Sequence, residues 1–183
     1  MSDREQTFVE LVDDAGTSIG SATVAEAHTA PGKLHRAFSV LLFDAAGRTL
    51  LQQRAAVKTR FPLRWANACC GHPEPGQGVV EAATKRLAEE LGVTGVTLRD
   101  VGVHAYRASD EATGRVEHEY DHVVVGVVPG DLPLAPDPDE VATTEWVRAD
   151  DLTAHLTQPD GLARYAPWLS GVLPIALRAL PAA

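Results

Sequence analysis

The residues able to do chemistry in this 183-residue chain fall in a few stretches. His28 and His35 bracket a turn, His72 lies in a loop rich in Pro and Gly, and Glu117 and Glu119 stand two apart in a stretch of strand character. Alternation along a strand points both carboxylates to one face. Three imidazoles with two carboxylates form a mixed nitrogen and oxygen donor set suited to a borderline or hard divalent ion. No compact ligand spacing joins them, so ordinary surface or internally satisfied histidines are the competing reading. His104, His118, His122 and His155 offer nothing beyond it. Cys70-Gly71-His72-Pro73 sets a thiol beside flexible backbone with an imidazole two residues on. That arrangement can perturb the thiol and make it an acid or a nucleophile, whereas a free cysteine is equally a small buried hydrophobe. Cys69, facing the other way, takes the structural role.

Arg54, Lys58, Arg60 and Arg64 crowd one region of an otherwise acidic chain. A cationic cluster beside a cysteine loop suits a phosphate or diphosphate; a solvated basic face is the alternative, and the preferred one for Arg60 and Arg64. Glu89 and Glu90 end a helix that follows a Gly-rich loop. Such a pair can bind Mg2+ carrying a diphosphate, while composition alone favours plain exposed glutamates.

These residues need elements to position them. Phe8–Val12 alternates as a strand and Asp13-Asp14-Ala15-Gly16 reads as a hairpin turn. Residues 37–43 predict a strand, 44–47 a turn, and 49–54 a strand returning antiparallel. Residues 22–33 are weakly patterned, and 58–78 form a loop without a period, long enough to be functional. Val79–Leu91 is the strongest helix, with Val80, Ala83, Thr84, Leu87 and Leu91 on one face, Lys85, Glu89 and Glu90 away from it, and Gly92 as its stop. Further strands are expected at 97–107, 116–128 and 143–147, a Pro-rich connection at 132–138, and helices at 150–155 and 165–180, the latter kinked at Pro174.

Composition bounds the rest. The chain is 45% hydrophobic and 22% charged, a globular composition of single-domain length. Acidic residues outnumber basic ones 25 to 16, a formal charge of -9, which opposes a broad nucleic-acid or anionic-membrane surface. The only two cysteines are adjacent and poorly placed for an ordinary disulfide. The opening Met1-Ser2-Asp3-Arg4-Glu5 is charged with no apolar segment behind it, and no apolar run is long enough to span a bilayer. A cytoplasmic protein with no membrane or nucleic-acid partner is the expectation.

Residues 71–93 resemble a Nudix box, the loop and helix of enzymes that act on diphosphates linked to another group; the ending Leu87-Ala88-Glu89-Glu90-Leu91-Gly92-Val93 fits well. Gln77 stands where hydrolases of that family carry a first glutamate, and Lys85-Arg86 replaces their Arg-Glu pair. The departures resemble the type I isopentenyl-diphosphate isomerases. The matching stretches are Ala27-His28-Thr29, Leu34-His35-Arg36-Ala37-Phe38-Ser39, Trp65-Ala66-Asn67-Ala68-Cys69-Cys70-Gly71-His72-Pro73, Glu117-His118-Glu119 and Ala166-Pro167-Trp168. The similarity as a whole runs from about Phe8 to Trp168.

The resemblance implies an α+β fold, a Nudix-like mixed sheet sandwiched by helices with an N-terminal strand extension, in a single domain over 1–183 with its core at about 34–150. It implies a five-ligand metal site of His28, His35, His72, Glu117 and Glu119 holding Mn2+, Mg2+ or Zn2+. It further implies Cys70 and Glu117 as paired catalytic residues, Tyr106 supporting the glutamate, and Trp168 over the reacting carbons. Arg54, Lys58 and Arg86 would contact the diphosphate, and Glu90 would bind its Mg2+. The implied substrate is a small prenyl diphosphate, and the implied assembly a monomer or weak dimer. One position departs: the family often has a lysine four residues before the first metal histidine, and here that residue is Val24, with Lys33 the expected substitute. A Nudix hydrolase of a nucleoside or prenyl diphosphate, and a catalytically retired metal-binding domain, are the rival expectations.

Overall fold

The computed structural model describes residues 3–180; Met1 and Ser2, which open the charged N-terminal stretch, lie outside the described residues. Strands β1 (Phe8–Val12) and β2 (Ser18–Thr23) form an antiparallel hairpin. Its turn is the expected one: Asp13 Oδ1 accepts hydrogen bonds from the Ala15 and Thr17 amides, and Gly16 adopts φ +78°. A Cβ at Gly16 would also lie 2.6 Å from the Tyr120 ring, so both backbone and space require glycine.

Strand β3 (His35–Phe43) is the axis of a nine-stranded mixed sheet. The sheet also contains β4 (Arg48–Arg54), β5 (Trp65–Asn67), β6 (Cys69–Gly71), β7 (Leu98–Asp110), β8 (Arg115–Val127) and β9 (Val141–Arg148). β3 runs parallel to β8 from His35 opposite Glu119 to Phe43 opposite Val127, and antiparallel to β6 through Ser39 opposite Cys70. β7 and β8 form a long antiparallel hairpin, while β4 pairs with β5 and β9.

Alternation along β3 splits the core into two layers. Leu41 and Phe43 join Val123 and Val125 against α3 (Ala149–Leu156) and α5 (Leu169–Arg178). Phe38, Val40 and Leu42 join Val124 against α2 (Val79–Leu91). A strand covered on both faces reads as an unbroken apolar run, as β3 does from Val40 to Phe43. The sheet thus lies between helices, with β1 and β2 as the N-terminal extension.

Several local expectations are corrected. α2 has the expected bounds and ends at Gly92 with φ +67°, but it is rotated: Val79, Ala82, Ala83, Leu87, Glu90 and Leu91 are buried, while Val80 and Thr84 are exposed. Glu90 goes inward because Gln52 and Arg86 satisfy its carboxylate. The 58–78 loop contains β5 and β6, each three residues long and too short to display a period. The weakly patterned 22–33 stretch holds α1 (Val24–Ala27), started by a reciprocal cap between Thr23 and Glu26. The helix expected at 165–180 begins at Leu169 and continues through Pro174. A separate α4 (Pro159–Arg164) precedes it, ending where Tyr165 turns extended. Among the described residues no helix is long and apolar enough to cross a membrane.

Candidate active site

Sheet register assembles the site. Parallel pairing sets His35 beside Glu119 from β8, and the β7–β8 hairpin sets Tyr106 beside the same glutamate from the other side. His28 arrives at the end of α1, and His72 directly follows β6. A cavity of about 830 Å³ opens here, with Cys70, His72, Tyr106, Glu117, Glu119 and Trp168 in its wall.

His28, His35, His72 and Glu119 each bring one ligand atom to within 4.8 Å of the others. The Nδ1 atoms of His28 and His35 donate to the Val24 and Lys33 carbonyls at 2.7 and 2.8 Å. Those bonds occupy Nδ1 and leave Nε2 of each ring as the nitrogen that faces inward. Both Nε2 atoms are buried without a hydrogen-bond partner. Orphaned, inward-pointing imidazole nitrogens grouped with a carboxylate fit a divalent cation. Glu117 stands beside the four: its Oε2 lies 2.8 Å from His28 Nε2 with no hydrogen bond formed, and its Oε1 lies 3.3 Å from Arg60 Nε.

Charges within the cluster are strongly biased. Burial opposes a proton on His28, but Glu117 and Glu119 override it and raise its pKa to about 9. Burial and the neighbouring imidazoles push His72 down to about 4 despite Glu119. Burial also works against the Glu119 carboxylate, yet contacts from His28, His35 and His72 hold it well below the usual range. Tyr106 donates its hydroxyl to Glu119 Oε2 at 2.6 Å. The expected tyrosine support therefore falls on Glu119 and not on Glu117, because cross-strand pairing puts Ala108, not Tyr106, opposite Glu117.

Cys70 sits on Asn67 and Ser39, at 3.2 and 3.7 Å from Sγ. Burial and the nearby Asp121 push its thiol up to about 12, so it carries its proton at neutral pH. Asn67 also donates to the Val40 and Cys69 carbonyls, and its Oδ1 accepts the Trp168 indole N–H at 3.0 Å. One amide thus fixes both the cysteine and the tryptophan. Sequence reading missed Asn67 as a functional residue, although it lay within a matched motif. It also missed Asp121, which continues the alternation of Glu117 and Glu119 and accepts a hydrogen bond from Ser39 at 2.8 Å.

The cationic residues divide. Arg54 lies 5.4 Å from the Trp168 ring and donates to the Arg60 and Phe61 carbonyls. Lys58 and Arg86 both bond Glu140, and Arg86 also reaches Glu90 at 2.6 Å. Glu90 is buried behind Arg86, which overturns the exposed-glutamate alternative for that residue; Glu89 is 40% exposed. Arg60 corrects the preference for a solvated basic face. Its side chain is 12% exposed and set between Glu5 at 2.8 Å and Glu117. Lys33, the expected substitute at the Val24 position, is exposed and contributes nothing to the cavity wall.

The model of the NUDIX domain matches residues 33–169, three-quarters of the chain, so the chain belongs to the Nudix family. A protein of Deinococcus radiodurans, known from its crystal structure, shares the fold with a TM-score of 0.71 at 17% identity, over 91% of this chain and 97% of that one. A MutT protein of Methanosarcina mazei does so at 0.58, also at 17% identity, over 77% and 91%. Among curated relatives, the isopentenyl-diphosphate Delta-isomerase of Nocardia farcinica is 63% identical over 168 residues, 92% of this chain and 93% of its own length. That of Streptomyces coelicolor is 46% identical over 169 residues, 92% and 83%. Within the Nudix family, this chain is a member of the type I isopentenyl-diphosphate Delta-isomerases.

Proposed function

We propose that this protein interconverts isopentenyl and dimethylallyl diphosphate by proton addition and removal. The observation that carries the reading is the convergence of a protonated Cys70 with the Tyr106–Glu119 pair, Trp168 and the histidine cluster in one cavity. Protonation of the terminal carbon of the alkene gives a tertiary cation; loss of a proton from the carbon nearer the diphosphate completes the 1,3 shift. The reaction needs one proton donor and one acceptor. Cys70 supplies a thiol held in its protonated form. Its partner is a carboxylate of β8: the sequence nominated Glu117, and the geometry favours Glu119, which Tyr106 holds while Glu117 is turned to Arg60 and His28.

The Trp168 face is suited to the cation, a contact worth roughly 2 kcal/mol when desolvated. Lys58, Arg86 and Arg54 hold the diphosphate away from the reacting carbons. His28, His35, His72 and Glu119, with Glu117 alongside, would hold Mn2+, Mg2+ or Zn2+, which would offset the buried carboxylate charge and fix their orientation. Glu90, the position the family resemblance assigns to the Mg2+ that accompanies the diphosphate, would reach that ion only on release from Arg86. The compartment this reading assigns is the cytoplasm, where Cys69 and Cys70 would stay reduced.

Proton NMR of the protein with isopentenyl diphosphate and Mg2+ in deuterium oxide tests the reading. Loss of the terminal methylene signal with new dimethylallyl methyls and deuterium uptake is expected. Unchanged substrate contradicts it, and release of inorganic phosphate or pyrophosphate points to hydrolysis.

A further inference from the structure

The short 3-10 helix Asp3–Gln6 packs on α1, joined to it through the Val24 amide, which donates to the Thr7 carbonyl at 2.9 Å. From there Arg4 and Glu5 both reach the cavity wall, in different directions. Glu5 accepts from Arg60 at 2.8 Å and Thr59 at 2.9 Å. Arg4 Nη1 lies 2.6 Å from Glu140 Oε1, and its Nη2 lies 3.6 Å from Glu89 Oε2. Glu140 is the carboxylate that Lys58 and Arg86 also bond. Three cations from the N-terminal segment, the loop after β4 and helix α2 therefore meet on one buried carboxylate at the cavity. The neighbouring wall at Val24 is apolar.

We propose that Arg4 is a substrate-contacting residue: its guanidinium acts with Lys58 and Arg86 on the diphosphate, supplying the positive charge that Val24 does not. The inference rests on the reading above for the organic part of the substrate, and on diphosphate chemistry alone for the contact itself. Glu140 keeps the three side chains aimed at one place, so less ordering remains to be done when the anion arrives. A planar guanidinium matches paired phosphate oxygens in a way an apolar wall cannot. Arg4 differs in kind from Glu5, which tethers the same segment to Arg60 without offering the substrate a donor.

The test is binding of inorganic pyrophosphate with Mg2+ by calorimetry, alongside steady-state kinetics with isopentenyl diphosphate. In Arg4→Ala, pyrophosphate binding weakens about tenfold, or about 1.4 kcal/mol, and the kinetic loss falls on KM more than on kcat. Arg4→Lys keeps most of the affinity, and Val24→Lys introduced into Arg4→Ala recovers it. Unchanged affinity in Arg4→Ala overturns the proposal. So does a loss that neither lysine repairs, since Arg4 would then only fasten the segment. Binding is read without turnover: an Arg4 effect on pyrophosphate in a protein that fails to convert isopentenyl diphosphate leaves this contact standing and removes the isomerase reading.

Discussion

At the scale of single residues, the site works by setting charge states with burial. Cys70 keeps its proton because burial and the neighbouring Asp121 carboxyl disfavour the thiolate. Glu119 keeps its charge because three imidazoles and a tyrosine hydroxyl face it. Replacing either group removes one end of the proton transfer, so Cys70→Ala and Glu119→Gln are each expected to lower kcat by about 10²- to 10⁴-fold. Circular dichroism and Tm, followed beside the NMR assay, should show the fold retained. Rates near those of the unsubstituted protein in either variant would remove that residue from the mechanism. The histidine cluster carries its own pH signature. The folded-state pKa of His28 lies above the ordinary value, at about 9, so its proton stabilises the metal-free fold below about pH 6.5. That contribution is lost as pH rises through 9. A metal must displace the same proton, so zinc affinity in a chelator competition should climb by up to about tenfold per unit from pH 6.5 to 9, then level off. An affinity flat across that window would show that the metal displaces no proton from His28.

At the scale of elements, β6 decides the site more than its three residues suggest. Its pairing with β3 sets Cys70 opposite Ser39 and Gly71 opposite Phe38. A Cβ there would lie 2.8 Å from Phe38 Cζ and 3.3 Å from Arg86 Cγ. Gly71→Ala therefore presses on the core and on a diphosphate contact together, between Cys70 and His72. Overpacking of this kind costs about 1–3 kcal/mol, and the expected result is a lower Tm with an activity loss larger than stability alone explains. Wild-type kinetics in a folded Gly71→Ala protein would show that β6 can shift without disturbing the thiol. Helix α2 has two duties that its pattern does not separate. Leu87 and Leu91 bury against the sheet while Arg86, backed by the buried Glu90 of the same helix, faces the cavity.

At the scale of the whole molecule, the cluster ties α1, β3, the segment after β6 and β8 to one point, so a bound metal couples distant parts of the chain. An ion at a hundred times its Kd stabilises by about 2.7 kcal/mol, which for a domain of this size is a Tm rise of roughly 5–10 °C. Calorimetry with and without a chelator should show that difference, and His35→Ala should abolish it; equal Tm values in the unsubstituted protein would exclude a stabilising ion. Much of this was legible in one dimension. The bounds of β1 and α2, the turn at Asp13 and the alternation of Glu117 and Glu119 all depend on neighbours within a few residues, where period and turn chemistry act. Other features were not, because they depend on groups far apart in the chain. Register alone chose Glu119 over Glu117 as the partner of Tyr106. Carboxylates distant in sequence, Glu5 and Glu117, turned Arg60 from a solvated cation into a clamped one, and Gln52 and Arg86 let Glu90 be buried. Local sequence determined which elements form and which residues carry chemistry; only tertiary packing decided which carboxylate meets which donor, since that choice rests on strand pairing and on the removal of water.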